Sequence, residues 1–213
     1  MIVRIISLLI GYVFGLFQTS FFYGKKQGKD IREFGSGNAG TTNALRVFGT
    51  KAGVIVFVGD CIKCILAVLL VMWLFGKSHS DILRLLKIYA GLGAILGHNY
   101  PIFMSFRGGK GIACTMGVML TLEAPIIIAG VIGFLAPVFI TRYMSLGSLC
   151  LNLVFFFGSV IMGERGMLGM SRMALYEMYA VIFVIALIAF IRHGENIKRI
   201  IAGNERKVFS KKQ

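Results

Sequence analysis

The sequence predicts an all-α integral membrane protein of about seven transmembrane helices, and three observations carry that prediction. Mean hydropathy is +0.81, and only 15% of the 213 residues are charged, against about 25% in ordinary soluble domains. Apolar stretches recur along the whole chain, most of them within the roughly 17–25 residues that cross a bilayer's hydrocarbon core. The basic residues, finally, are unevenly shared among the segments between those stretches. A chain this apolar fits poorly with nucleic-acid binding despite its net charge of +14.

The stretches fall at 2–23, 52–75, 88–104, 109–122, 124–141, 146–163 and 175–191. The first resembles a signal peptide, with Arg4 ahead of an apolar run. It lacks a small-x-small cleavage site and runs to full span length, so it reads as an uncleaved first helix. The second holds Asp60 and Lys63, three apart, where helical pairing would lower the cost of two intramembrane charges; structural pairing and functional use both remain open. The stretch 109–122 is short for a span and reads as a short crossing or a broken half-helix, which leaves five or six spans open beside seven. Together the stretches make residues 1–213 a single polytopic membrane domain ending in a basic tail, 192–213.

Sixteen of the 23 lysines and arginines fall on one side of this arrangement, chiefly in loop 24–51 and the tail. Arg4, Lys77, Arg84, Lys87, Arg165 and Arg172 fall on the other, and Lys63 lies within a helix. The positive-inside rule then places the N-terminus outside and the C-terminus in the cytoplasm. Lys207, Lys211 and Lys212 read as an anchor to anionic lipid. The four cysteines, Cys61, Cys64, Cys114 and Cys150, all lie in apolar stretches, so a disulfide framework is not expected. The CxxC at 61–64 reads as helix packing.

The polar residues gather in segments on the cytoplasmic side. The first reads Phe34-Gly35-Ser36-Gly37-Asn38-Ala39-Gly40-Thr41-Thr42-Asn43-Ala44-Leu45-Arg46. Its GxGxxG fails as a dinucleotide fingerprint, because no strand precedes it and no βαβ unit surrounds it. Its glycines still allow a close backbone approach to an anion. Small polar side chains add donors, and Arg46 adds a bidentate phosphate partner. The second segment ends Arg107-Gly108-Gly109-Lys110-Gly111; it lacks the first glycine and the Ser/Thr of a nucleotide P-loop. A glycine turn and a lysine opening a helix still suit an anion. His98, just upstream, reads as a hydrogen-bonded structural residue. The third segment, around Arg142 and Ser145, passes for an interfacial turn. The fourth carries His193 and Asn196, three apart and so on one helical face, with Lys198, Arg199 and Glu205 beyond.

No metal-ligand cluster or Gly-x-Ser-x-Gly elbow is legible. Neutral donors and cations with few carboxylates suit recognition of phosphate and stabilisation of negative charge.

Five blocks in order, GSGNAGTTNALRVFG at 35–49, GDCIKC at 59–64, GHNYPIFMSFRGGKGIA at 97–113, RYMSLGSL at 142–149 and RHGENIKRIIAGNE at 192–205, resemble the bacterial acyl-phosphate:glycerol-3-phosphate acyltransferase (PlsY) family over essentially the whole chain. Thr41, Cys64 and Cys114 stand where that family usually has alanine, glycine and threonine. The resemblance implies a seven-helix enzyme of the bacterial cytoplasmic membrane with its active site facing the cytoplasm. It would move a fatty acyl group from acyl phosphate to the 1-hydroxyl of sn-glycerol 3-phosphate, giving lysophosphatidic acid and phosphate. By the same resemblance Ser36, Arg46, His193 and Asn196 are catalytic, while Gly108, Gly109 and Lys110 bind substrate phosphate. Asn38, Thr41 and Ser145 lie near the acyl phosphate. No cofactor or metal is implied; partners are the two substrates, membrane lipids and an acyl-phosphate-supplying enzyme. The alternative is a transporter for phosphorylated metabolites, whose broken helices and glycine turns look alike.

Overall fold

The computed structural model describes residues 1–208 and is all-helical over them. Lys211 and Lys212 of the expected lipid anchor lie outside the described residues. Among the described residues, five helical segments are long and apolar enough to cross a membrane: Ile2–Lys26, Thr50–Phe75, Ala124–Thr141, Met144–Glu164 and Arg172–Arg192.

The first of these is not one straight helix, as 2–23 was expected to be. It divides into α1 (Ile2–Gly15) and α2 (Thr19–Lys26). At the break, the carbonyls of Gly15 and Phe17 accept hydrogen bonds from Lys63 Nζ at 3.3 and 2.6 Å. The buried Gln18 side chain spans the gap to the carbonyls of Gly97 and His98. A short helix, α3 (Thr41–Phe48), leads through Gly49 (φ 88°) into α4 (Thr50–Phe75).

The expected span at 88–104 is displaced. Helix α5 runs from Leu83 to Asn99, because Tyr100 precedes Pro101 and a residue before proline is pushed out of the α region. At its other end Arg84 and Lys87 extend the helix into a polar margin, reaching Glu123 Oε1 at 2.5 Å and the Thr121 carbonyl at 3.0 Å. The weak stretch 109–122 proves short: α6 is Ile112–Met119, eight residues, or about 12 Å. Helices α7 (Ala124–Thr141), α8 (Met144–Glu164), α9 (Arg172–Arg192) and α10 (Gly194–Ile201) complete the chain.

The closest packing is between α1 and α5, through small residues. A Cβ on Gly11 would lie 1.9 Å from the Ala90 carbonyl oxygen, and one on Gly15 2.3 Å from that of Ala94. Reciprocally, Gly93 and Gly97 back onto the Leu8 and Tyr12 carbonyls at 2.0 and 2.2 Å. This is a small-xxx-small seam on both helices, which lets backbones meet where lipid offers no hydrophobic drive. Elsewhere the outward faces are apolar, as on α4 with Ile62, Leu66, Leu69 and Trp73. Arg4 holds Glu177 through Nε and Nη2 at 2.6 and 2.8 Å, and inside α4 Lys63 holds Asp60 at 3.0 Å. The loop contacts sort the helix ends into two sets. The Arg84–Glu123 and Arg172–Glu164 pairs join one set; the polar segments meet at the other.

Candidate functional site

The first polar segment is built around one side chain. Asn43, 1% exposed, accepts from the Ser36 amide at 2.8 Å. It also donates to the carbonyls of Ile31 and Phe34 at 3.2 and 2.9 Å. Gly35 turns beneath it at φ 63°, where a Cβ would come within 2.2 Å of Asn43 Oδ1. The sequence offers Asn43 as one more donor for a ligand; its hydrogen bonds are instead spent shaping the loop. The result leaves Ser36 exposed and sets Thr41 at the start of α3, its Oγ1 buried without a partner. Arg46, a turn further on, forms no ion pair among the described residues. Burial and the neighbouring Arg206 and Arg199 charges work against its own, holding its pKa below the usual arginine range.

The glycine turn rides on the end of α5. Amides of Gly108 and Gly109 donate to the carbonyls of Asn99 and His98, both at 3.1 Å. From the other side Arg192 Nη2 donates to the carbonyls of Gly108 and Gly109 at 3.2 and 2.9 Å. Neither glycine has room for a Cβ: at Gly108 it would meet the His98 carbonyl, at Gly109 the His98 ring, each at 2.0 Å. The turn thereby aims Lys110 at Asn196, whose Oδ1 accepts its hydrogen bond. Burial, with Arg199, Arg192 and Arg46 nearby, lowers Lys110 to about 8.

The last segment folds back over the site. Glu205 Oε1 accepts from Ser145 Oγ at 2.9 Å and from Asn196 Nδ2 at 2.7 Å, while Oε2 accepts from Arg199 Nε at 2.8 Å. Burial pushes this carboxyl up, but its three donors outweigh that and hold it below the ordinary range. Arg206 reaches the Gly35 carbonyl at 3.4 Å, and the Val208 amide donates to the Arg142 carbonyl at 2.8 Å. His193 is lowered to about 4, by burial and then by the Lys110 charge, and so is neutral near pH 7. Its Nδ1 lies 2.7 Å from the Ala189 carbonyl; a carbonyl only accepts, so Nδ1 carries the proton and Nε2 a free lone pair.

These segments enclose one cavity of about 630 Å³. Ser36, Asn38, Thr41, Arg46, Gly108, Lys110, Ser145, His193 and Asn196 all border it. Gly109 does not; it sits behind the wall, against His98. Six cations (Arg46, Arg107, Lys110, Arg192, Arg199, Arg206) face three carboxylates (Asp60, Glu195, Glu205) around the cavity. Its deeper wall is apolar: Phe57, Met116, Phe134 and Leu151. A cationic cup opening into an apolar crevice suits an anionic headgroup with a hydrocarbon chain. The sequence reading passed over Arg192 and Glu205 as site residues; the available signal was only that both flank the His193–Asn196 pair. The four cysteines are free, and no group of His, Cys, Asp or Glu among the described residues is arranged to hold a metal.

Fold and site together define a membrane-bound helical protein with an anion-binding pocket let into its bundle. Comparison with known proteins narrows this further. Residues 5–203 match the glycerol-3-phosphate acyltransferase family, and the chain belongs to it. A relative from Shouchella clausii, a glycerol-3-phosphate acyltransferase, is 40% identical, covering 99% of each chain. Another from Thermoanaerobacter sp. is 35% identical, covering 97% of this chain and 96% of its own. Among solved structures the fold matches the integral membrane acyltransferase PlsY. Its glycerol 3-phosphate form has a TM-score of 0.83 at 29% identity, covering 96% of this chain and 95% of that one. Its lysophosphatidic acid form gives 0.80 at 28%, covering 96% and 94%.

Proposed function

We propose that this glycerol-3-phosphate acyltransferase uses acyl phosphate as its donor. It acylates the 1-hydroxyl of sn-glycerol 3-phosphate, giving lysophosphatidic acid and inorganic phosphate. The observation that carries this reading is the junction of a cationic cup with an apolar crevice in one cavity. Two phosphorylated substrates need several anion-binding groups side by side, and six cations border the cup. Acyl phosphate brings its own leaving group, so the protein supplies proximity, desolvation and charge stabilisation. The similar solved PlsY was captured in a glycerol 3-phosphate form and a lysophosphatidic acid form, which supports both ends of the reaction.

In this reading Arg46 and Lys110 neutralise substrate phosphates, helped by the Gly108–Gly109 turn, and Ser36, Asn38, Thr41 and Ser145 hydrogen-bond the acyl phosphate. His193, neutral and with its Nε2 lone pair free, accepts a hydrogen bond from the substrate hydroxyl and orients it. At about 4 its pKa is too low for an effective base, so the proton passes to a substrate phosphate. Asn196 holds Lys110 in place. We place the protein in the bacterial cytoplasmic membrane as one domain of seven segments, counting α5 and α6 as the two short ones, with the N-terminus outside and the cavity facing the cytoplasm. The excess of basic residues on the cavity side supports that orientation. An enzyme that makes acyl phosphate is the expected upstream partner.

Purified protein in nanodiscs, given acyl phosphate and labelled glycerol 3-phosphate, should form lysophosphatidate without nucleotide or metal. Ser36→Ala and Arg46→Ala should each cut turnover by about 10²-fold or more while still inserting in membranes. Near-wild-type turnover in both would remove their assigned roles. Uptake of glycerol 3-phosphate by proteoliposomes without chemical change would favour a transporter instead.

A further inference from the structure

Beneath the glycine turn, a polar cluster is packed between α1, α2, α4 and α5. Asp60 is 1% exposed, His98 3% and Lys63 4%. Lys63 Nζ lies 3.0 Å from Asp60 Oδ1 and 2.9 Å from His98 Nδ1, besides its bonds to the Phe17 and Gly15 carbonyls. Thr19 Oγ1 donates to the same Asp60 oxygen at 3.0 Å. Lys63 thus touches a carboxylate and two carbonyls, all of which only accept, and serves them as an ammonium.

An ammonium has no lone pair to offer. The imidazole nitrogen facing it must present its own lone pair, since a proton there would point into a cation. His98 is therefore held as the neutral tautomer with its proton on Nε2. That nitrogen faces away from Lys63, beside Gly109. Among the described residues no other nitrogen or oxygen atom hydrogen-bonds its side chain, and the buried Cys114 thiol is its remaining polar neighbour. His98 borders the cavity, as do Asp60, Ala113 and Met116. Asp60 lies ten residues along α4 from Thr50, about 15 Å in, so this part of the wall lies where the cationic cup gives way to the apolar crevice.

We propose that Lys63 fixes His98 as a neutral Nε2–H donor, and that this donor serves the acyl carbonyl oxygen as negative charge develops there. The proposal rests on the acyl-transfer reading above. In the step concerned, the substrate hydroxyl oxygen bonds to the acyl carbon and the carbonyl π electrons move onto oxygen. They return as the carbon–phosphate-oxygen bond breaks, phosphate leaves with that electron pair, and the hydroxyl proton ends on phosphate. A neutral imidazole N–H can hold such an oxyanion without giving up its proton. Lys63 is then a positioning residue acting through His98. This also accounts for the seated ammonium better than charge pairing alone, which needs only Asp60.

The test joins a spectrum to kinetics. In protein labelled with 15N-histidine, the resonances lost in His98→Gln should show Nδ1 unprotonated and Nε2 protonated, and Lys63→Met should abolish that fixed tautomer. His98→Ala should lower kcat by about 10²-fold with KM for glycerol 3-phosphate within about twofold. His98→Gln, which returns an amide N–H near Nε2, should recover part of the loss. A proton on Nδ1 in the wild type, a loss in KM alone, or a folded His98→Ala with wild-type kcat would overturn the proposal. If His98→Ala does not fold, Lys63→Met decides: an altered tautomer with unchanged kcat also overturns it. Failure of the wild type to form lysophosphatidate would defeat the acyl-transfer reading itself, whereas the tautomer is read without turnover.

Discussion

Lys110 is the residue on which pH should act. Its value near 8 leaves it cationic below that pH and neutral above it, and a substrate phosphate needs the cation. Affinity for glycerol 3-phosphate, measured by calorimetry, should fall as pH rises through about 8, with proton uptake on binding near that pH. Lys110→Arg keeps its charge throughout and should remove the decline, at the cost of the fit to Asn196. His193 gives no matching limb near neutrality, being neutral until about pH 4. Asn43 makes a different residue-scale prediction. Asn43→Ala leaves the Ser36 amide and two carbonyls without their partner, which costs about 1–3 kcal/mol for a buried group left unmet. Thermal unfolding should register that loss, and kcat/KM should fall further than stability does, because the loop carrying Ser36 loses its shape. Asn43→Asp restores only the acceptor for Ser36 and should rescue in part.

At the scale of elements, two interruptions make the site possible. Pro101 ends α5 early, and the turn that follows folds back onto the α5 carbonyls, delivering Lys110 to the cavity. The break between α1 and α2 frees two carbonyls for Lys63, tying the first span to α4. The seam between α1 and α5 braces both, and its glycines face backbone rather than flexible side chains. Gly93→Leu would drive a side chain into the Leu8 carbonyl, 2.0 Å from the ideal Cβ position. Overpacking of this kind costs about 1–3 kcal/mol. Its melting temperature in detergent should drop, and activity should fall with it, since α5 carries His98 and the glycine turn. Gly158→Ala, at an open position, should change neither.

For the whole molecule, the orientation is the quantity to measure. In a chain with Cys150→Ala, a cysteine placed at exposed Lys77 should react with a membrane-impermeant maleimide added to intact spheroplasts. One placed at exposed Lys51 should react only after lysis. The reverse pattern would invert the proposed topology and put the cavity outside.

The sequence alone determined that the chain is a helical membrane bundle, because hydropathy over about 20 residues is a sum over local composition. It also determined which short segments carry the polar chemistry, and the order of those blocks pointed to the family. Nine of the ten proposed site residues border one cavity, because each block brings its own glycines and donors. Tertiary structure alone decided where the first span breaks, since Lys63 reaching the Gly15 and Phe17 carbonyls is a contact across 46 or more residues. It moved Gly109 behind the wall and brought in Arg192 and Glu205. It also turned Asn43 from a ligand donor into the loop's scaffold, and it supplied His98, read as a hydrogen-bonded structural residue, with its partner Lys63. These are questions of which partner satisfies a buried polar group, and partners distant in sequence leave no local pattern by which to read them.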